Sequence, residues 1–167
     1  MHDPVSIDRE GHRTWLKWHR GRRTATDPVF TGRRILEAMA LGASVEVDLV
    51  VTADRGFAVL HDKTLEHETT GTGKVAAARA ADIRRLNLRD NAGEPIPDTV
   101  MLLEDLCALL AQQPPHPDAL LQLDFKEDAV ALDVQTIAAF AATIGQFAGN
   151  MIVSGGDARA KIGRAHV

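Results

Sequence analysis

The sequence holds a single cysteine, Cys107, among 167 residues, so no disulfide framework can be built and an apolar core must hold the fold. Cys107 sits inside an apolar helical run, where a thiol serves as a small packing group. No apolar stretch approaches the length of a membrane span. The N-terminus, Met1 to Glu10, lacks the apolar segment of a signal peptide, so a cytoplasmic protein with no integral membrane segment is the expectation. A basic stripe is missing too. The net charge is -4 and the arginines come in scattered pairs, Arg22-Arg23, Arg33-Arg34 and Arg84-Arg85, which argues against a nucleic-acid partner. There is no short internal repeat.

What is present suffices for a core: 45% of the residues are hydrophobic against 25% charged, which fits one globular domain. The most informative stretch runs from Ser44 to Asp62. Val45, Val47 and Leu49 alternate with Glu46, Asp48 and Val50, Thr52 to Gly56 supplies turn chemistry, and Phe57 to Leu60 is a second apolar run, so the stretch reads as a β-hairpin. Glu46 and Asp48 then share a face, about 6 to 7 Å apart along the strand. Such a pair takes either solvent or a counter-charge, and a hard divalent cation with oxygen ligands, Mg²⁺ or Ca²⁺, is the simplest counter-charge.

The rest of the chain alternates. Thr14 to Trp18 is a short apolar segment that delivers His19-Arg20-Gly21, and Ile35, Leu36, Met39 and Ala40 recur at helical spacing before Gly42 stops the helix. Lys63 to Pro97, rich in Gly, Thr, Ala and charge, reads as an insertion with one short helix around Ala80 to Leu86. Met101 to Ala111 is a helix closed off by Pro114-Pro115, Ala119 to Phe125 a strand, Val130 to Ile144 an alanine-rich helix, and Met151 to Val153 the start of another strand. Strands alternating with helices, with charged residues at successive strand ends, predict a parallel α/β barrel whose site lies at the C-terminal face.

The ordered series His19-Arg20-Gly21, Leu41-Gly42-Ala43, Glu46-Val47-Asp48, His61-Asp62, Thr69-Thr70-Gly71-Thr72-Gly73, Leu103-Glu104-Asp105 and Asp124-Phe125-Lys126 resembles the glycerophosphodiester phosphodiesterase family of the phospholipase-C-like phosphodiesterases. The resemblance implies a (β/α)₈ TIM barrel that hydrolyses small-molecule glycerophosphodiesters to glycerol phosphate and an alcohol. It implies His19 and His61 as the catalytic acid and base, Arg20 and Lys126 on the substrate phosphate, and Glu46, Asp48 and Asp124 around one divalent cation, Mg²⁺ or Ca²⁺. Asp62 would orient His61 or cap its turn. His2, His12, His67 and His116 read as solvated loop residues, and Glu104 and Asp105 as an exposed helix face.

The chain departs from the family pattern in places. Val29-Phe30-Thr31 stands where Glu-Asn-Thr is usual, Asp124 where a longer Glu is usual, and His67-Glu68 where Arg-Thr is usual. A closed barrel takes ~250 residues, so about the first half is expected here: residues 1–160 as a partial barrel domain with its insertion at 63–97. The end, 161–167, can be written as codons similar to a sequencing adapter and is expected to be non-native, which leaves His166 without a role. An open half-barrel is expected to be inactive by itself and to expose strand edges. Two alternatives stand beside the main reading: a sphingomyelinase-D-like or lysophospholipase-D-like phosphodiesterase, and a non-catalytic cation-binding remnant of the fold. Headgroup preference and oligomeric state have no signature in the sequence.

Overall fold

The structure, a computed structural model, describes residues 5–128 and 130–156. The expectations placed on 161–167, His166 and His2 lie outside the described residues.

The chain opens with a hairpin, β1 (Ser6–Arg9) against β2 (His12–Trp15), turned by Glu10 and Gly11, both at positive φ. The apolar segment expected over Thr14 to Trp18 is therefore divided. The Leu16 N–H still donates to the Val5 carbonyl, but its own carbonyl accepts from Ser44 N–H, so the chain changes partners at that residue and continues as β3 (Lys17–His19). This hairpin also places His12 on a strand and not in a loop.

Helix α1 (Gly32–Leu41) buries Ile35, Ala38 and Met39, the i, i+3, i+4 stripe of a surface helix. It ends where Gly42, at φ 91°, turns back so that its N–H and that of Ala43 cap the last carbonyls. The expected hairpin follows as β4 (Ser44–Val51) and β5 (Phe57–Val59), paired antiparallel.

Between β5 and the next long helix lies a small unit of its own. It holds α2 (Ala80–Ile83) and an antiparallel pair, β6 (Asn87–Arg89) with β7 (Pro95–Thr99), around a separate core of Leu60, Leu65, Val75, Ile83, Leu88 and Leu102. Helix α3 (Leu103–Gln112) starts with the Asp105 carboxylate accepting the Leu102 N–H, so Asp105 is a helix cap as well as a surface residue. Strand β8 (Leu121–Phe125) follows. Helix α4 (Val134–Ile144) begins later than the apolar run at Val130, because Asp133 caps it through the Thr136 N–H. Strand β9 (Met151–Gly155) completes the described chain.

Four of these strands, β3-β4-β8-β9 in that order, form one parallel sheet, with β5 attached to β4. Side chains alternate across it. One face, including Trp18, Val45, Val47, Leu49, Leu121, Leu123 and Phe125, packs with α1, α3 and α4, and Phe57, Phe125 and Phe140 meet there edge to face at 5.0–5.9 Å. The strand register then puts His19 beside Glu46, Glu46 beside Gln122, Asp48 beside Asp124, and Asp124 beside Ser154. The opposite face is therefore polar, and it carries the chemistry.

Candidate active site

Each charged side chain on that face is set by a strand position. Glu46 and Asp48 project from β4, Asp124 from β8, and all three are well covered, Asp48 completely. A carboxylate oxygen from each lies within 4.8 Å of the others. Three like charges so close need compensation. Lys126 Nζ bridges two of them, 2.8 Å from Asp48 Oδ1 and 2.5 Å from Asp124 Oδ2. Arg20 Nε stands 3.2 Å from Asp48 Oδ2. Both Asp48 oxygens are buried and take these contacts as ion pairs, without hydrogen-bond geometry.

The backbone contributes as well. Arg20 occupies the left-handed region at φ 54°, which aims its N–H at Glu46 Oε2, 3.1 Å away. A non-glycine residue there costs about 1–3 kcal/mol and persists only where its surroundings enforce it. The next residue, Gly21, is also left-handed, and a Cβ on it would meet Ile35 Cγ1 at 2.7 Å. The His-Arg-Gly turn thus packs its glycine on α1 and its arginine on the carboxylates.

His19 Nε2 lies 3.7 Å from Glu46 Oε2, with its ring more than half exposed. Burial and then the Arg20 charge hold this imidazole below its ordinary pKa. Burial and the neighbouring Asp48 charge push the Glu46 carboxyl up, against the Arg20 N–H and Lys126. Lys126 is raised: burial works against the charge, and the hydrogen bond to Asp124 with the ion pairing to Asp48 outweighs it.

His61 follows β5 and belongs to a second cluster. Its Nδ1 is 2.7 Å from Asp62 Oδ1, the orienting contact expected of Asp62, while His67 Nδ1 lies 3.3 Å from Asp62 Oδ2. Beneath them Glu68 Oε2 accepts both the His61 N–H (3.0 Å) and the Asp62 N–H (2.8 Å). Burial raises the pKa of this carboxyl. The structure therefore joins His19, Arg20, Glu46, Asp48, Asp124 and Lys126 in one network and sets His61 on an adjoining buttressed turn.

Three participants were not evident in the sequence. Lys17 Nζ donates to Gln122 Oε1 (2.7 Å), Gln122 Nε2 to Ser154 Oγ (2.9 Å), and Ser154 Oγ to Asp124 Oδ1 (2.6 Å). The period-two pattern Gln122-Leu123-Asp124 was the available signal for Gln122. Ser154 needed the β8–β9 register.

This sheet, with its site on the face turned away from the helices, is part of a (β/α)₈ barrel of the phosphodiesterase type. The chain belongs to the glycerophosphoryl diester phosphodiesterase family, whose pattern matches residues 14–148. Among solved structures it is similar to an Agrobacterium tumefaciens putative glycerophosphoryl diester phosphodiesterase (TM-score 0.66, 25% identity, 84% of this chain and 55% of that one). It is also similar to a glycerophosphoryl diester phosphodiesterase domain from Mycobacterium tuberculosis (TM-score 0.68, 21% identity, 90% and 56%). A third is an Oleispira antarctica phosphodiesterase in complex with the product sn-glycerol-3-phosphate (TM-score 0.67, 19% identity, 88% and 59%). The chain spans between 55% and 59% of the length of these three. No curated protein matches it significantly. Family and barrel thus agree with the reading of the motifs. Among the described residues no helix is long and apolar enough to cross a membrane.

Proposed function

We propose that this chain carries the cation-binding and acid–base half of an enzyme that hydrolyses glycerophosphodiesters to glycerol phosphate and an alcohol. One observation carries the reading: three carboxylate oxygens within 4.8 Å of one another, flanked by an arginine, a lysine and a histidine. An all-oxygen donor set suits a hard divalent cation, Mg²⁺ or Ca²⁺. The two Asp48 oxygens, buried yet without a hydrogen bond, support the fit. Glu46, Asp48 and Asp124 would hold the ion. When bound, it polarises a phosphoryl oxygen and orients the neighbouring hydroxyl.

The chain's own groups supply the rest. Arg20 and Lys126 neutralise the phosphate, the first as a planar fork and the second as a point charge. One histidine of the His19 and His61 pair accepts the proton of the glycerol hydroxyl as its oxygen attacks phosphorus. The other gives a proton to the departing alcohol oxygen as the P–O bond breaks. The cyclic phosphate so formed is opened by water with the two roles exchanged. Asp62 fixes the His61 ring for this task.

The test is turnover of glycerophosphocholine with Mg²⁺ or Ca²⁺ by this half joined to the remaining strand-helix units of a barrel. His19→Ala and His61→Ala should each lower the rate by roughly 10²- to 10⁴-fold while cation binding is kept. Full turnover in either variant, or turnover that survives a chelator, would contradict the proposal.

A further inference from the structure

Beside the carboxylates, between the His-Arg-Gly turn and the β6–β7 hairpin, lies a cavity of about 270 Å³. Its wall includes Arg20, Arg22, His67, Glu68, Arg89 and Asp90. Asn91 ties its two sides together, donating from Nδ2 to the Ala25 carbonyl at 3.0 Å. Arg20 belongs to both the cavity and the site, so a substituent of a phosphodiester held by Arg20 would lie within reach of this wall.

The charges in this wall are unequally satisfied. Both carboxylates are engaged by backbone: Glu68 Oε2 accepts the His61 and Asp62 N–H groups, and Asp90 Oδ1 accepts those of Ala92 and Glu94. The guanidiniums are not matched in the same way. Arg89 donates to two carbonyls, of Thr69 and Gly93, both at 2.7 Å, and its charge meets no carboxylate among the described residues. The Arg22 side chain has no hydrogen-bond or ion-pair partner among them. Quaternary ammonium groups are typically met by aromatic faces, and among the described residues the one ring on this wall is that of His67.

We propose that this cavity receives the leaving alcohol and selects alcohols that carry a further anionic group, with Arg22 and Arg89 as the determinants. The inference rests on the phosphodiesterase reading and deepens it. Guanidinium forks recognise phosphate and carboxylate oxygens in pairs, and the anchoring of Arg89 on two carbonyls holds its fork in place before any ligand arrives.

The experiment is equilibrium binding by calorimetry with Mg²⁺ present, on chains that all carry His61→Ala so that turnover is slowed while the cation is kept. Glycerophosphoinositol phosphate, with its anionic alcohol, is compared with glycerophosphocholine. The anionic diester should bind at least about tenfold more tightly, the equivalent of one charge-assisted contact. In Arg22→Gln, a variant that removes no internal bond, that ratio should collapse toward one. Equal affinities with both arginines in place, or a preference that survives both Arg22→Gln and Arg89→Gln, overturn the inference and leave the phosphodiesterase reading intact. Binding of neither diester overturns both.

Discussion

Asp48 and Asp124 stand opposite each other on adjacent strands, and the Lys126 ammonium lies between them, 2.8 Å from one carboxylate and 2.5 Å from the other. Asp48 is fully buried, and this contact and Arg20 are its compensating partners. Removing one partner of a buried pair costs more than the pair was worth, because the other charge is left behind. Lys126→Met should therefore destabilise the chain by about 3 kcal/mol, the lower end of the range for buried pairs, since the ammonium is a quarter exposed. Urea unfolding measures it. Added Ca²⁺ should recover more stability in Lys126→Met than in the unaltered chain.

Glu68 predicts a second effect. It holds the turn that presents His61 by accepting two backbone N–H groups through one oxygen. Glu68→Ala leaves both donors without that partner and should cost about 1–3 kcal/mol. Glu68→Gln keeps an acceptor and should recover most of the loss. If Gln is as damaging as Ala in denaturant titrations, the bonds to the turn are not what Glu68 contributes.

A third prediction concerns acid. Burial disfavours the Asp27 charge, yet bonds from Thr24 and the Arg34 guanidinium outweigh it and hold the carboxyl below its ordinary value of 3.8. A depressed folded-state pKa means stability that is complete above the unfolded value and lost as pH falls through the folded one. Asp27 should therefore contribute fully at neutral pH and lose its contribution below about pH 4. Asp27→Asn should be less stable at pH 7 and should show a flatter decline over that acid range. Denaturation midpoints measured against pH check both.

Cys107 supplies a fourth. It is packed against the main core and burial pushes its thiol up to about 11. A thiolate is the reactive form, so alkylation by iodoacetamide at pH 7 should be slow in the folded chain and fast in denaturant. Rapid labelling of folded protein would contradict this packing.

The sequence exposed what rests on periodicity. β4 announced itself because Val45, Val47 and Leu49 alternate with Glu46 and Asp48, and α1 because its apolar stripe ends at a glycine. The β1–β2 and β6–β7 pairs escaped notice. Their strands are three to five residues long, too short for a pattern, and depend on turns such as Glu10-Gly11 and Asp90 to Gly93. Charged site residues were legible because a carboxylate in an apolar strand is costly and so conspicuous. Gln122 and Ser154, uncharged, gained meaning only from the register that lines them up with Asp124. Glu68 is the clearest omission: it stood out only as a departure from a family pattern, and its task is a contact between residues seven and six positions apart.

If Glu46, Asp48 and Asp124 form one cation site, as proposed, calorimetric titration with Ca²⁺ and with Mg²⁺ detects it. The unaltered chain should bind one ion per molecule, and Asp48→Asn, which keeps the shape of the side chain and removes its charge, should lose or strongly weaken that binding. Identical isotherms for the two proteins, or no binding by the unaltered chain, would contradict it.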